Sequence, residues 1–226
     1  MPSSTVEDYL KGIYALQRDN PNGRATVAQL AVALGVTKGS VTAMVRKLRD
    51  AGLADAERYG SIALTPKGRT LALDVVRRHR IIELFLVDVL GFDWSEVHDE
   101  AERLEHAMSA KVLDRLDEHL GRPETDPHGD PIPDAAGRIP QREGVPLSTL
   151  HAGARARISR ISDSDPAFLD FAARHGLRPG ARIAVTEIVP EAESIRIKAH
   201  RHDAVTMALH AAERITAEPI ENDSAT

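Results

Sequence analysis

The stretch from Ser95 to Leu120 constrains the chain most, because it reads as one amphipathic helix whose inward face begins with metal-ligand residue types and ends with leucines. Ser95 is a helix-capping residue and Leu120-Gly121 a helix stop. At about 100° per residue, His98, Glu102, Glu105, His106 and Ser109 fall within an arc of roughly 100°. Asp99, Glu100, Arg103 and Asp114 lie on the other side, and the ligand arc continues as Leu113, Leu116 and Leu120. A face that turns apolar looks toward protein, where a buried charge without a partner is costly. A divalent cation would compensate two carboxylates and two imidazoles, and i, i+3, i+4 spacing converges them on one point. A local network of Glu–His and other salt bridges would also compensate them. From this helix alone both readings stay open.

Composition narrows the classes. At 226 residues the chain suits one large domain or two small ones. Its net charge of −5 is uneven: residues 1–70 carry +4, residues 71–140 carry −8 and residues 141–226 carry −1. A basic first third suits a polyanion, and an acidic middle with five of the ten histidines suits a cation. Without cysteine, disulfides, thiolate metal sites and Cys nucleophiles are excluded. No apolar run has the length of a membrane span and no signal-peptide core is present, so the expectation is a soluble cytoplasmic protein with no membrane partner.

Taken in order, Ser4 to Glu7 has the form of a capping box, followed by Val6, Tyr9, Leu10, Ile13 and Tyr14 at helical spacing, with Asp8 off that face. Thr26 to Gln29 is a second capping box, and Thr37 opens a helix to about Asp50. Ala31, Gly35 and Val41 have the spacing of a helix-turn-helix. Thr37, Lys38, Gly39, Ser40 and Thr42 form the second helix's opening turns, where short side chains allow close approach to bases and phosphates. Arg46 and Lys47 follow, and Leu53 to Leu64 reads as a strand–turn–strand wing around Arg58. Thr65-Pro66 starts a helix to about Leu90, which carries His79 and Glu83 at i, i+4 on its apolar face. That helix and the next form the expected dimerisation surface. Residues 121–146 hold six of the thirteen prolines and read as a linker. Beyond them come short strands at Ala154–Ile161, Ala181–Val189, Ser194–Ala199 and Arg214–Ala217, with a helix from Pro166 to His175, which together predict a small barrel.

With these motifs in view, the sequence resembles the diphtheria-toxin-repressor / manganese-transport-regulator family of metal-dependent transcription factors. The resemblance covers nearly the whole chain. It rests most on Glu7-Asp8-Tyr9-Leu10, the helix-turn-helix with its wing, the run from Val97 to Ser109, and the phrase from Pro127 to Pro133. It implies a mainly α chain with small β parts: a winged helix-turn-helix at 1–65, a helical metal-binding and dimerisation domain at 66–122, a linker at 123–146, an SH3-like (FeoA-like) β-barrel at 147–220 and a tail at 221–226. By position, Asp8, Glu102, Glu105 and His106 match the primary metal site, and His79, Glu83 and His98 the ancillary one. Asp165 falls where a C-terminal carboxylate can join the ancillary site, although its companion polar position is Phe168. Iron-type members carry Met and Cys where this chain has Asp8 and Glu102, and manganese-type members carry acids. Lys11 stands where short manganese-type members have a further acid, which argues against a paired-metal centre built on that acid.

The reading is a Mn2+-responsive homodimer, with Fe2+ the alternative, that binds double-stranded DNA at a pseudo-palindromic operator and represses metal-uptake genes. Two rivals are a hydrolase with metal at Glu102, Glu105 and His106, and a winged-helix sensor of organic ligands. The hydrolase needs an open coordination position and a nearby base in a cleft, and no further nucleophile or substrate motif is present, so the chain is read as no enzyme. The organic sensor would not require acids and imidazoles on inward faces.

Overall fold

The computed structural model describes residues 3–20, 22–56, 61–140, 144–162 and 165–220. It resolves into two compact units, the first of 1–79, 105–108 and 133–139 and the second of 80–104, 109–132 and 140–226. Helix α4 (Pro66–Asp88) therefore contributes its first part to one unit and its second part to the other.

In the first unit, α1 (Ser4–Asp19) buries Val6, Tyr9, Leu10, Ile13 and Tyr14, the expected stripe. Its cap is Ser3, which makes no side-chain bond, so the expected box from Ser4 to Glu7 does not form. The Glu7 carboxylate turns instead to the Arg78 guanidinium, 2.9 Å away. The box at α2 (Val27–Ala33) does form, with reciprocal bonds between Thr26 and Gln29. At α3 (Lys38–Asp50) the Thr37 side chain accepts from the Ser40 N–H. Helices α2 and α3 are bent by 109°, and Gly35 turns between them at φ 62°. Val41, Val45 and Leu48 anchor α3 in a core with Leu10, Ile13, Leu30 and Ile62. Strand β2 (Ala54–Ala56) pairs with β3 (Ser61–Leu64) as the wing, and β3 also pairs with β1 (Ala25–Thr26), a strand the sequence did not announce. The tip of the wing, Arg58 included, lies outside the described residues. Thr65 caps α4 by accepting from the Gly68 N–H at 3.1 Å.

The single helix expected from Ser95 to Leu120 is two, α5 (Val97–Glu105) and α6 (Ala110–His119). Ser109 accepts from the Val112 N–H and caps α6; a capping serine competes for backbone donors and favours a new start over continuation. At the other end Asp93, not Ser95, is the acceptor: it takes the N–H and the hydroxyl of Ser95 at 2.9 and 2.7 Å.

The expected linker is largely an ordered turn. Asp126 Oδ1 accepts the N–H groups of His128 and Asp130, and Thr125 bridges to Pro131. Asp126, His128, Asp130 and Ile132 are buried. Gly129, at φ 88°, packs against the Ser159 carbonyl so closely that a Cβ would collide with it.

The C-terminal part is a six-stranded antiparallel sheet in the order β4 (Val145–Pro146), β9 (Ile215–Pro219), β5 (Arg155–Ile161), β6 (Arg182–Val189), β7 (Ser194–Ala199), β8 (Ala204–Ala208). It is open, where a closed barrel was predicted. Register breaks at Ile158/Arg160 and Val185/Glu187 bend it, but β4 is only two residues long and pairs with β9 alone. Helices α7 (Pro166–Arg174) and α8 (Leu209–Ala212) supply Leu169 and Ala212 to a core with Ile158, Ile161, Ile195 and Ile197. Among the described residues no single helix is long and apolar enough to cross a membrane.

Candidate metal centres and nucleic-acid interface

Within the first unit, Asp8 on α1, Glu105 at the end of α5 and His106 beyond it offer ligand atoms all within 4.8 Å of one another. His106 Nε2 lies 2.8 Å from Asp8 Oδ1 and 3.5 Å from Glu105 Oε1. Its Nδ1 lies 2.8 Å from Glu7 Oε2. With Nδ1–H donated to Glu7, Nε2 is the ring nitrogen left for a cation shared with Asp8 and Glu105. A metal-binding imidazole is commonly oriented by a carboxylate in this way. Glu7 is held in turn by Arg78, which also donates to the Glu105 carbonyl oxygen at 2.9 Å. Burial opposes the Arg78 charge, but Glu7, Asp74 and Glu105 outweigh it and raise the guanidinium pKa.

Glu105 is fully buried. Its Oε2 lies 2.6 Å from His79 Nδ1 and its Oε1 2.7 Å from the Lys11 ammonium. Burial pushes this carboxyl up, and His79 and Lys11 together reverse the effect and hold it below its ordinary value. Lys11, which stands out in the sequence only as a departure, is thus the ammonium that faces Glu105, and His79 meets the same carboxylate.

In the second unit, Glu83 Oε1 lies 3.2 Å from His98 Nδ1, and His98 Nε2 lies 3.6 Å from Glu102 Oε1. Glu83, Asp126 and His128 form a further group with ligand atoms within 4.8 Å, all three buried. His128 Nε2 donates to the Trp94 carbonyl at 2.7 Å, which leaves Nδ1 facing Glu83 Oε2, 3.9 Å away. Sequence reasoning misses Glu7, Asp126 and His128 as site residues. Glu7 reads in sequence as part of a cap. Asp126 and His128 sit in a Pro-rich stretch without periodicity, where the family-like phrase from Pro127 to Pro133 and an acid and an imidazole two residues apart are the signal. Asp165 caps α7 by accepting from the Phe168 N–H, and pairs with Arg214 at 3.1 Å.

These donor sets contain only carboxylate oxygen and imidazole nitrogen, which suit divalent ions from manganese through zinc and do not select soft ones. In His106 and His128 one ring nitrogen meets a protein acceptor and the other faces the carboxylates of its group. The residues fit a divalent cation.

On α3, Lys38, Gly39, Ser40, Thr42, Arg46 and Lys47 are exposed, as is Thr37 at its cap. A Cβ added at Gly39 would meet only Thr37 Oγ1, at an ordinary 3.7 Å, so nothing inside the unit demands glycine there. An outside surface that approaches closely would.

Three family descriptions match in succession: the iron-dependent repressor N-terminal DNA-binding domain over residues 1–62, the iron-dependent repressor metal-binding and dimerisation domain over 65–134, and the FeoA domain over 145–219. The iron-dependent repressor IdeR of Mycobacterium tuberculosis (strain ATCC 25618 / H37Rv) is 34% identical over 96% of this chain and 97% of its own length. The diphtheria toxin repressor of Corynebacterium diphtheriae (strain ATCC 700971 / NCTC 13129 / Biotype gravis) is 40% identical over 57% of this chain and 56% of its own. Among solved structures, a manganese-dependent transcriptional repressor in complex with manganese superposes with a TM-score of 0.88 at 38% identity, over 95% of this chain and all of that one. IdeR of T. acidophilum superposes with a TM-score of 0.79 at 30% identity, over 97% of this chain and all of that one.

Proposed function

The chain belongs to the iron-dependent repressor family of metal-dependent, DNA-binding and dimerising transcriptional repressors, and from that premise we propose that its activating ion is Mn2+, with Fe2+ as the alternative. The observation behind the choice is that Asp8, Glu105 and His106 converge as oxygen and nitrogen donors, a set that suits manganese and iron(II) and departs from the Met and Cys that iron-type members carry by resemblance. Glu102 stands three and four residues before Glu105 and His106, and that spacing in the sequence supports it as the fourth ligand. His79, Glu83 and His98 are the proposed ancillary set, with Asp165, which pairs with Arg214, the further candidate. A solved relative is named as a manganese complex, while curated relatives are named as iron-dependent.

Bound there, the ion supplies the positive charge that lets several carboxylates share one place. Asp8 brings α1 to the end of α5, Glu7 fixes the His106 ring, and the position of the reading helix α3 follows from that of α1, which packs on it through Leu10, Val41 and Leu48. Thr37, Lys38, Gly39, Ser40 and Thr42 would meet bases and phosphates; Arg46, Lys47 and Arg58 would meet phosphates. A two-fold dimer implies a pseudo-palindromic operator. Repression of metal-uptake genes would close a feedback loop on the ion. The test is operator affinity measured across Mn2+ and Fe2+ titrations: manganese should tighten binding, and a protein that responds to iron while manganese does nothing overturns the assignment.

A further inference from the structure

Outside these centres, the outward face of β5, β6 and β7 collects positive charge that the fold does not neutralise. Along β6 the side chains alternate, with Ile183 and Val185 inward and Arg182 outward. Cross-strand register sets Arg155 on β5 and Lys198 on β7 on either side of Ala184, and sets Arg182 directly opposite Arg157. Arg157 has its counter-ion, Glu218, at 2.8 Å. Among the described residues Arg155, Arg182, Lys198 and Arg201 have none, and together they line a cleft of about 720 Å³ whose one acid is Asp203. Arg182 faces a like charge directly across the sheet, Arg157, and among the described residues none of the four cations gains an ion pair from its place there, so the arrangement does not serve folding. The small Ala184 leaves room for an anion between two cations. Residues 141–226 carry a net −1, so this is a local concentration of charge and not a general property of the domain.

We propose that this cleft is a second DNA-backbone site, in which Arg155, Arg182, Lys198 and Arg201 take phosphates of double-stranded DNA independently of sequence. The proposal rests on the DNA-binding reading above. DNA is the occupant because the ligand this family of proteins carries is a polyphosphate, and four cations spread over three strands and a turn match a row of phosphates. Backbone contacts of this kind carry affinity and salt dependence but no base information.

The test uses the full-length, Mn2+-loaded protein with an operator duplex and a random-sequence duplex. For each, affinity is measured against salt concentration. The triple variant Arg155→Ala/Arg182→Ala/Lys198→Ala should weaken binding to both and make the slope of log K on log salt shallower by about 0.9 for each phosphate that is no longer neutralised. Its ratio of operator affinity with and without Mn2+ should be unchanged. Ala184→Glu keeps every cation but places a carboxylate between Arg155 and Lys198, and should have the same effect. Unchanged slopes in both variants overturn the proposal. So does a triple variant that loses inorganic pyrophosphate binding yet keeps the wild-type DNA slope, since the cleft would then serve a small anion. If wild-type protein shows no Mn2+-dependent operator binding at all, the function assigned above fails instead, and the slope comparison on random duplex still decides the cleft.

Discussion

Lys11 and Glu105 show how one side chain sets the terms of a metal centre. The Glu105 carboxylate is fully buried, and its charge is tolerated because His79 and the Lys11 ammonium stand within 2.7 Å. Lys11→Ala should therefore act in opposite directions on two measurements. Without metal, loss of a charged hydrogen bond to a buried group should cost about 1.5–3 kcal/mol in urea unfolding. With metal, removal of a competing positive charge should tighten Mn2+ binding roughly tenfold, on the scale of a charge repulsion of about 1–2 kcal/mol. A variant weakened in both respects would show that Lys11 helps build the site. The same carboxyl sets an acid limit. It is held below its ordinary value near 4.5, because His79 and Lys11 overcome the upward push of burial. The unfolded chain takes the proton first as pH falls, so the stabilisation is present above pH 4.5 and is lost as pH drops through the lowered folded value. Metal-free protein should lose stability across that window, and Glu105→Gln should flatten the dependence.

Elements were legible where a local signal had no competitor. The boxes at Thr26 and Thr37 are visible in sequence and present in structure, because nothing else claims their side chains. Ser4 to Glu7 has the same pattern and forms no box, because the buried Arg78 is the stronger partner for Glu7; only tertiary structure reveals that. Ser109 falls on the inward arc in sequence but is a helix start in the fold. Strands β1 and β4 escape a sequence reading because two residues cannot show a period, and β8 because Val205 and Met207 give only one repeat. The turn from Asp126 to Ile132 was illegible for another reason. Its order comes from an Asp126 side chain that caps its own backbone and from a glycine against a neighbouring strand. Gly129→Ala tests this. Its Cβ would strike the Ser159 backbone at a φ of 88°, so it should cost well over the ~1–2 kcal/mol of left-handed strain alone. Gly137→Ala is the matched control, since φ is 75° but the Cβ would meet only Leu73 Cδ1 at 3.6 Å. Equal thermal shifts for the two would mean that the close approach to Ser159 has no energetic weight.

At the scale of the whole molecule, metal and operator act on the same equilibrium. In the proposed mechanism the ion makes no contact with DNA; it favours the arrangement of α1 and α3 that binds DNA, and it can do so only by binding that arrangement better than the others. Linkage then fixes a second quantity: operator DNA must tighten metal binding by the same factor by which metal tightens DNA binding, for coupling of this kind typically about 5–150-fold. Mn2+ titrations with and without saturating operator duplex, set beside operator titrations with and without Mn2+, should return one number. Asp8→Ala locates the coupling. Asp8 is partly exposed on α1, away from the residues that form the core, so the fold should persist. Dimer mass by sedimentation and weak binding to random duplex should persist too. The coupling factor should fall close to one, while His98→Ala, which leaves Asp8, Glu105 and His106 in place, should lower it less. An Asp8→Ala protein with the full wild-type factor in both directions would show that the ion acts on DNA binding through some route other than α1.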